Sequence, residues 1–335
     1  MKSWQLEKTG KTNLRLIDQP QPTPGPGEVL VRTEAVSLNY RDKAIVDGTY
    51  PVATEFPLIP TSDLAGEVVS VGACVTRLKP GDKVISVFKP LWIDGVPTKE
   101  AYNATLGSPL PGVLAEYVLL PESGALTYPE YLSPPQASTL PIAAVTAWAA
   151  LFDHGHLRPD QTVLVQGSGG VSLFALQLAV AHGSRVIATS RSESKIERLK
   201  KLGAAEAINS TKTPAWEQEV LSLTGGNGVD HVVEVLGGES LQRSISASAW
   251  GGHIAVIGFL DNPEATISLP WMFATAVHLQ GVGVGSQKDT KDLLRFLEQH
   301  RIQPVIDATY KFSVAPDAFD HLERGPFGKI VIEVR

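Results

Sequence analysis

The feature that most constrains the fold of this chain is a regular alternation of strand and helix patterns that begins at about Ser123. Short apolar runs typical of buried strands alternate with segments that carry apolar residues at three- and four-residue spacing, as amphipathic helices do. This is the pattern of βαβ units, so the sequence predicts an α/β fold built on a doubly wound parallel sheet. The predicted strands are 162–166, 185–189, 230–236 and 253–258, and the predicted helices are 171–182 and 195–202.

The sequence on either side of this region has a different character. Up to about Pro121 it is turn-rich, with short apolar runs such as Glu28 to Thr33 (EVLVRT) and Gly66 to Val71 (GEVVSV) between Pro and Gly clusters. After Leu279 short strands return, with a predicted helix at 290–300 and a closing strand at 329–334. We therefore predict a β-rich domain formed by residues 1–122 and 280–335, into which a second domain, residues 123–279, is inserted.

A glycine-rich turn follows the first apolar strand of the inserted region and opens its helix. Its sequence is Gly167-Ser168-Gly169-Gly170-Val171-Ser172. A strand–turn–helix of this kind lets the backbone approach a pyrophosphate and points free helix N–H groups at it. Ser172 replaces the third glycine of the usual pattern, and an ordinary glycine-rich βα loop is the alternative. The context favours a dinucleotide-binding turn.

The end of the second strand indicates which dinucleotide would bind. NAD-selective sites usually place a carboxylate there, whereas this chain has Thr189-Ser190-Arg191-Ser192, with Lys195 close behind. Arg191 and the neighbouring hydroxyls could hold a 2′-phosphate through charge-assisted hydrogen bonds. We therefore expect NADP(H), the alternative being that Arg191 and Lys195 are solvated residues at a helix start.

Composition excludes several other classes of function. The 29 basic and 35 acidic residues give a net charge of −6, so a nucleic-acid partner is not expected. A single cysteine, Cys74, cannot form an intrachain disulfide or the Cys cluster of a structural zinc site. The amino-terminal residues have no signal-like apolar core, and the longest apolar stretch, Pro141 to Phe152, is too short to span a bilayer. We expect a cytoplasmic protein with no membrane partner.

Taken together, these segments make the chain resemble a medium-chain dehydrogenase/reductase over nearly its full length. The resemblance implies a Rossmann domain inserted into a GroES-like catalytic domain. It is carried by Asn39-Tyr40-Arg41-Asp42, Pro60 to Gly72 (PTSDLAGEVVSVG), Lys79 to Val84 (KPGDKV), Thr146-Ala147-Trp148, the Gly167 turn and Gly328 to Val331 (GKIV).

Within that superfamily, alcohol dehydrogenases hold a catalytic zinc, and local motifs place its three ligand positions in this chain at Asn39, Ser62 and Ile142. Asparagine, serine and isoleucine do not make a zinc site of the usual N/S kind. No metal is therefore expected. The resemblance is to the zinc-independent, quinone-oxidoreductase-like branch.

The resemblance also implies candidate site residues. Tyr50 matches a tyrosine that enoyl-thioester reductases of the superfamily use near the substrate carbonyl, the alternative being an aromatic side chain that only fills the edge of the cleft. Asn39 and Ser62 are further catalytic candidates. Thr61 and Asp63 would lie near the vacated metal position, and Trp92 in the loop 88–112 is a candidate substrate wall. Lys329 is a cofactor candidate whose alternative is a solvated strand end. The remaining cofactor candidates are Thr146, Gly167, Ser168, Gly169, Gly170, Val171, Ser190, Arg191, Lys195, Gly258, Phe259, Gly283, Val284 and Gly285.

The function expected from these features is NADPH-dependent hydride transfer to an activated C=C or C=O, such as a quinone or an α,β-unsaturated carbonyl, without zinc. Two alternatives stay open: a metal-free alcohol dehydrogenase or carbonyl reductase, and an NADPH-binding protein without turnover. The apolar stretch Val277 to Val284 resembles the edge strand through which this superfamily often dimerises, so we expect a homodimer.

Overall fold

The computed structural model describes residues 1–51 and 54–335. The strands are Lys2–Leu6 (β1), Leu14–Asp18 (β2), Glu28–Ser37 (β3), Asp63–Val71 (β4), Lys83–Ser86 (β5), Tyr117–Pro121 (β6), Ala125–Thr127 (β7), Thr162–Gln166 (β8), Arg185–Ser190 (β9), Glu206–Asn209 (β10), Val229–Glu234 (β11), Ser248–Val256 (β12), His278–Gly281 (β13), Ile306–Lys311 (β14) and Lys329–Glu333 (β15).

The α-helices are Tyr40–Asp47 (α1), Lys99–Asn103 (α2), Pro134–Ala137 (α3), Val145–Trp148 (α4), Gly170–His182 (α5), Glu193–Lys201 (α6), Trp216–Leu223 (α7), Gly238–Ala247 (α8), Leu269–Thr275 (α9), Gln287–His300 (α10) and Ala315–Glu323 (α11). Two π-helical turns, Leu140–Ala144 and Ala149–Asp153, flank α4. None of the helices in the described ranges combines the length and the apolar character needed to cross a bilayer.

The chain forms two compact units, and the second is inserted into the first. One unit comprises Met1–Val145 and Ser286–Arg335, which we call the β-rich unit, and the other comprises Thr146–Gly285, which we call the nucleotide unit. The predicted boundaries, after residues 122 and 279, lie earlier in the chain than these. The difference arises because α3 packs against β3, β4 and β15, and the turn Leu140–Ala144 packs against β4 and β5, so this segment stays with the β-rich unit.

The nucleotide unit is built on a six-stranded sheet in the order β10-β9-β8-β11-β12-β13, with every neighbouring pair parallel. This is the strand order of a doubly wound Rossmann sheet, and it confirms the fold class predicted from the alternating pattern. Strand β8 coincides with the predicted 162–166, and the other predicted strands and helices are found within a few residues of their expected ends. The centre of the sheet is apolar, with Leu164, Ile187, Val232 and Ile254 in one buried cluster.

The β-rich unit contains a seven-stranded sheet, in which six strands follow the order β14-β15-β3-β4-β5-β7 and the seventh, β6, pairs with β3, and a separate β1–β2 hairpin. Strand β3 is long enough to carry two partners along one edge. Its first half, Glu28 to Arg32, pairs with β6, and its last residues, Ala35 to Ser37, pair with β15. The last strand of the chain therefore completes a sheet begun by the first fifty residues.

Helix ends follow local sequence chemistry. Helix α10 begins with a capping box, in which the Ser286 hydroxyl accepts a hydrogen bond from the Asp289 backbone N–H and the Asp289 carboxylate accepts one from that of Ser286. Helix α5 ends at Gly183, whose φ of 94° is the left-handed conformation that glycine adopts without strain. In the β-rich unit, the residue before α1 is Asn39, whose backbone N–H donates to the Asp42 carboxylate. Asn39 and Asp42 thereby form a capping box at the start of α1.

Candidate active site

The turn between β8 and α5 has the geometry of a phosphate-binding loop. Gly167 has a φ of 73°, and its N–H donates to the carbonyl oxygen of Thr189 at 2.9 Å, which joins the turn to the end of β9. Gly169 precedes the helix, and no side chain caps the N–H groups of its first turn. A Cβ placed on Gly169 would meet no atom within 4 Å, so the backbone here faces open space. Free helix N–H groups beside that space suit a pyrophosphate.

Ser172, which replaces the third glycine of the usual motif, is buried and donates its hydroxyl hydrogen to the carbonyl oxygen of Gln166 at 2.7 Å. The hydrogen bond ties the first turn of α5 to the end of β8. Close helix-to-strand packing, the role of that glycine, is thus achieved by a small polar residue.

A buried polar network at this point of the sheet was not anticipated from the sequence. Glu234 is fully buried at the end of β11 and accepts hydrogen bonds from Gln166 Nε2 at 2.7 Å, from Leu236 N at 2.9 Å and from the hydroxyls of Ser240 and Ser244. The network links the ends of β8 and β11, next to the glycine turn. Its signal in the sequence was the presence of Gln166 and Glu234 at the ends of otherwise apolar strands.

The residues expected to read the 2′-phosphate lie at the end of β9. Ser190 is buried, and its hydroxyl accepts a hydrogen bond from Ser192 N, whereas the Arg191 side chain is 80% exposed and lies 3.9 Å from Asp261. Glu193, the first residue of α6, is held by Lys212 at 2.8 Å and Asn209 at 2.6 Å. The negative charge of Glu193 is therefore already compensated by these two partners.

The other cofactor candidates of the nucleotide unit lie beyond the ends of its strands or on its helices. Gly258 follows β12, and a Cβ there would lie 2.7 Å from the Val235 carbonyl oxygen, so the position admits only glycine. Phe259, the next residue, is 54% exposed. Val284, between Gly283 and Gly285, is buried with a φ of 145°, a strained backbone for a β-branched residue. Thr146 in α4 is buried, and Lys195 in α6 is partly buried.

In the β-rich unit, a buried ammonium group organises the positions that the family resemblance assigns to zinc ligands. Lys329, the first residue of β15, is 3% exposed and donates from Nζ to Asn39 Oδ1 at 2.6 Å. Its Nζ also lies 3.9 Å from Asp63 Oδ2. The alternative of a solvated strand end is wrong, since this side chain is enclosed by the core.

Asp63 connects the other two positions. Its Oδ1 accepts a hydrogen bond from the Ser62 hydroxyl at 2.6 Å, and its Oδ2 accepts one from the Ile142 backbone N–H at 3.1 Å. Burial raises the pKa of Asp63 and lowers that of Lys329, and the charge of each opposes the shift of the other. Asn39, Ser62, Ile142 and Lys329 therefore meet around one carboxylate.

Thr61 and Asp42 border this cluster. Thr61 is buried with a φ of 69°, a left-handed conformation that a β-branched residue rarely adopts and that persists only where the surroundings enforce it. Burial raises the pKa of the fully buried Asp42 to about 6, although the Arg41 charge opposes the shift. A strained backbone at Thr61 and a shifted pKa at Asp42 thus occur side by side, as they often do at functional sites.

Tyr50 is separate from the Asn39 cluster. It follows α1, its backbone N–H donates to the Ala44 carbonyl at 3.1 Å, and its half-buried ring lies 5.1 Å from the Arg41 guanidinium. Its hydroxyl makes no hydrogen bond to any residue in the described ranges, and so is free to donate to a bound molecule. Trp92, the proposed substrate wall, is buried, and its indole N–H donates to the Gly95 carbonyl.

Comparison with known proteins agrees with this architecture. A family model described as an alcohol dehydrogenase GroES-like domain matches residues 25–130, and one described as a zinc-binding dehydrogenase matches residues 170–299. A zinc-type alcohol dehydrogenase-like protein of Schizosaccharomyces pombe is 39% identical over 92% of this chain and 91% of its own length. The chloroplastic quinone-oxidoreductase QR1 of Triphysaria versicolor is 32% identical, over 97% of this chain and 95% of its own.

Solved structures give the same result. An NAD-dependent alcohol dehydrogenase is 33% identical with a TM-score of 0.90, each chain being covered completely. A mycobacterial protein solved in complex with NADPH is 27% identical with a TM-score of 0.84, covering 99% of this chain and 100% of its own. One of these two structures is named as NAD-dependent and the other was solved with NADPH, and both share the fold of this chain. The chain therefore belongs to the medium-chain dehydrogenase/reductase family, as a nicotinamide-dependent oxidoreductase that resembles its quinone-oxidoreductase-like branch.

Proposed function

We propose that this protein is an NADPH-dependent reductase that delivers hydride to an activated C=C or C=O, such as that of a quinone or an α,β-unsaturated carbonyl, without a catalytic zinc. The observation that carries the proposal is the Lys329 ammonium bound to Asn39 at 2.6 Å, beside Ser62 and Asp63. The Lys329 ammonium already occupies the Asn39 side chain, one of the three positions that would hold a zinc ion, and neither an asparagine amide nor a serine hydroxyl is a usual zinc ligand. The residues present do not fit zinc.

The choice of NADPH rests on the end of β9. Two hydroxyls, Ser190 and Ser192, and the exposed Arg191 lie there, and the neighbouring Glu193 is paired with Lys212 and Asn209. An exposed guanidinium beside hydroxyl donors recognises a phosphate monoester through charge-assisted hydrogen bonds. A ribose without the 2′-phosphate would leave Arg191 without this contact.

The bound cofactor supplies the hydride, and the chain positions the acceptor and manages the proton. Tyr50 is the proposed donor to the oxygen or carbon that becomes negative as hydride arrives, since no residue among 1–51 and 54–335 bonds its hydroxyl and the Arg41 charge lies over its ring. Lys329 fixes the Asn39 amide through Oδ1, so that the amide is held in one orientation. Such preorganised donors are what a site without a Lewis acid uses to stabilise developing charge.

We also propose a homodimer that forms through the edge of the nucleotide-unit sheet. β13 ends that sheet, and exposed apolar side chains cluster in the same unit: Trp250 (78%), Leu269 (70%), Trp271 (53%) and Phe273 (88%). An open strand edge beside exposed aromatic residues is typical of a protein interface.

Replacing Arg191 tests the cofactor assignment. Arg191→Ala should raise the KM for NADPH by about tenfold or more, because a charge-assisted hydrogen bond is lost, and should leave the KM for NADH within about twofold. Steady-state kinetics with each cofactor measure this. Lys201→Ala, which removes an exposed cation from the other end of α6, is the matched control. Equal use of NADH and NADPH by the unaltered enzyme would refute the assignment.

Metal removal tests the absence of catalytic zinc. Dialysis against a strong chelator should leave kcat unchanged, and metal analysis of the active enzyme should find far less than one zinc per chain. The physical reason is that Asn39, Ser62 and Ile142 supply no thiolate or imidazole ligand. Loss of activity on chelation, with recovery on adding Zn²⁺, would contradict this.

Replacing Tyr50 tests the proton donor. Tyr50→Phe should lower kcat by about a hundredfold on the best acceptor found, since a positioned general acid contributes roughly that factor or more. Tyr40→Phe, at a 56% exposed tyrosine that begins α1, the helix preceding Tyr50, should have no effect. If Tyr50→Phe retains full turnover, water or another group delivers the proton.

The proposed dimer is tested by sedimentation. The unaltered protein should sediment at twice 35.9 kDa, and Phe273→Asp should shift it toward the monomer because a charge is then placed in an apolar interface. Val96→Asp, at a 97% exposed apolar residue of the β-rich unit, should not. A single 35.9 kDa species for the unaltered protein would rule the dimer out.

A further inference from the structure

Two cationic side chains lie close together in the β-rich unit without a carboxylate partner among the described residues. Arg41 is the second residue of α1, and Lys89 lies in the segment that follows β5. Neither forms an ion pair there. Each cation lies over aromatic rings: the Arg41 guanidinium over Tyr50 and over Phe88, the residue before Lys89, and the Lys89 ammonium over Trp92 and Tyr102.

Lys89 is enclosed in an unusual way. Its side chain is 4% exposed, and its ammonium lies 3.1 Å from the ring centroid of Tyr102 and 5.3 Å from that of Trp92. The ammonium makes no hydrogen bond to the described residues, and the one contact of this kind at Lys89 is its backbone carbonyl, which accepts from the Trp92 N–H at 3.0 Å. Burial, reinforced by the Arg41 charge, lowers the pKa of Lys89 to about 7. The N–H donors of the Lys89 ammonium are therefore unused within the described residues. Its charge is stabilised only in part, by the faces of the two rings.

Arg41 is fixed in place but not neutralised. Its guanidinium donates to the carbonyl oxygens of Leu106 at 3.0 Å and Ser108 at 2.5 Å, and to the Thr105 hydroxyl. These contacts orient the group and carry no negative charge, and Nε is buried without a partner. The Arg41 charge lowers the pKa of the neighbouring Asp42, but the Asp42 carboxylate already accepts a hydrogen bond from the Asn39 backbone N–H.

The like charges of Arg41 and Lys89 repel each other, and the arrangement is favourable only when an anion compensates them. Arg41 also contacts the ring of Tyr50, the proposed proton donor, at 5.1 Å. A ligand whose anionic end meets Lys89 beside Arg41 would therefore lie with its remaining part near the Tyr50 ring.

We propose that Lys89 and Arg41 form a subsite for an anionic oxygen group of the substrate, so that the preferred acceptors are α,β-unsaturated carbonyl compounds that carry a carboxylate or a phosphate. This inference rests on the proposed reductase function and deepens it by naming the class of acceptor. Trp92 and Tyr102, with ring centroids 5.9 Å apart, shape the subsite and do not touch the reacting atoms.

The test compares an acceptor with and without its charge. At pH 6, 4-oxopent-2-enoate should be reduced with a kcat/KM at least about tenfold higher than its methyl ester. Lys89→Met should lower that ratio by about tenfold, and Lys89→Arg should restore much of it. Lys99→Met, at an exposed lysine of α2 a short distance along the chain, is the matched control and should leave the ratio unchanged.

The ratio should also depend on pH. Lys89 is protonated below its pKa of about 7 and loses its charge above it, so the preference for the carboxylate should fall as the pH rises from 6 to 8. The groups that face Lys89 are Arg41, which stays charged, and the rings of Trp92 and Tyr102. In Lys89→Met the ratio should be independent of pH over this range.

A binding measurement separates this inference from the reductase function. Calorimetric titration of the saturated keto acid 4-oxopentanoate should show binding that Lys89→Met weakens by about tenfold, whether or not any acceptor is turned over. Competition by inorganic phosphate that exceeds competition by acetate would identify the phosphate as the preferred group, and the reverse would identify the carboxylate. Reduction of acid and ester with equal efficiency, or equal loss of both in Lys89→Met, would overturn the subsite while leaving the reductase proposal intact.

Discussion

The hydrogen bond between the Lys329 ammonium and the Asn39 amide is the contact on which the β-rich unit depends. Strand register explains why these residues meet. Ser37, near the end of β3, lies opposite Asp63 of β4 on one side and Val331 of β15 on the other. Two residues beyond Ser37 is Asn39, and two residues before Val331 is Lys329, so the antiparallel pairing brings the side chains together. Burying the Lys329 ammonium without Asn39 and Asp63 would cost much free energy of folding, so the three residues depend on one another.

Much of the nucleotide unit could be predicted from the sequence because its signals are local. The run Thr162–Gln166, the glycines at 167 and 169 and the spacing of apolar residues after them each act within a few residues. The partners of Lys329 could not be predicted in this way, because Asn39 is 290 positions away and the contact depends on register in a sheet formed by both ends of the chain. The same applies to Lys89, which reads in sequence as an ordinary loop lysine.

The two units solve the problem of buried polarity differently. In the nucleotide unit, Glu234 is fully buried and receives hydrogen bonds from an amide, two backbone N–H groups and two hydroxyls, with no cation among these donors. It links β8 to β11, where the strand order reverses and where open α/β sheets bind their ligands. In the β-rich unit, carboxylates and cations are buried together but incompletely matched. The Glu234 network suits a rigid binding site, and the buried ions of the β-rich unit suit a site that is sensitive to the charge of a bound molecule.

The position of β15 has a consequence for how the chain is made. Strand β3 leaves the ribosome early, but the partner of its last residues, Ala35 to Ser37, is synthesised almost three hundred residues later. The inserted unit contains all six strands of its own sheet and can complete its folding first during translation. Until residues 329–333 emerge, the last residues of β3 lack their strand partner and Asn39 lacks its ammonium partner. The first half of β3 pairs with β6 and does not depend on the end of the chain, so the two halves of one strand are completed at different stages of synthesis.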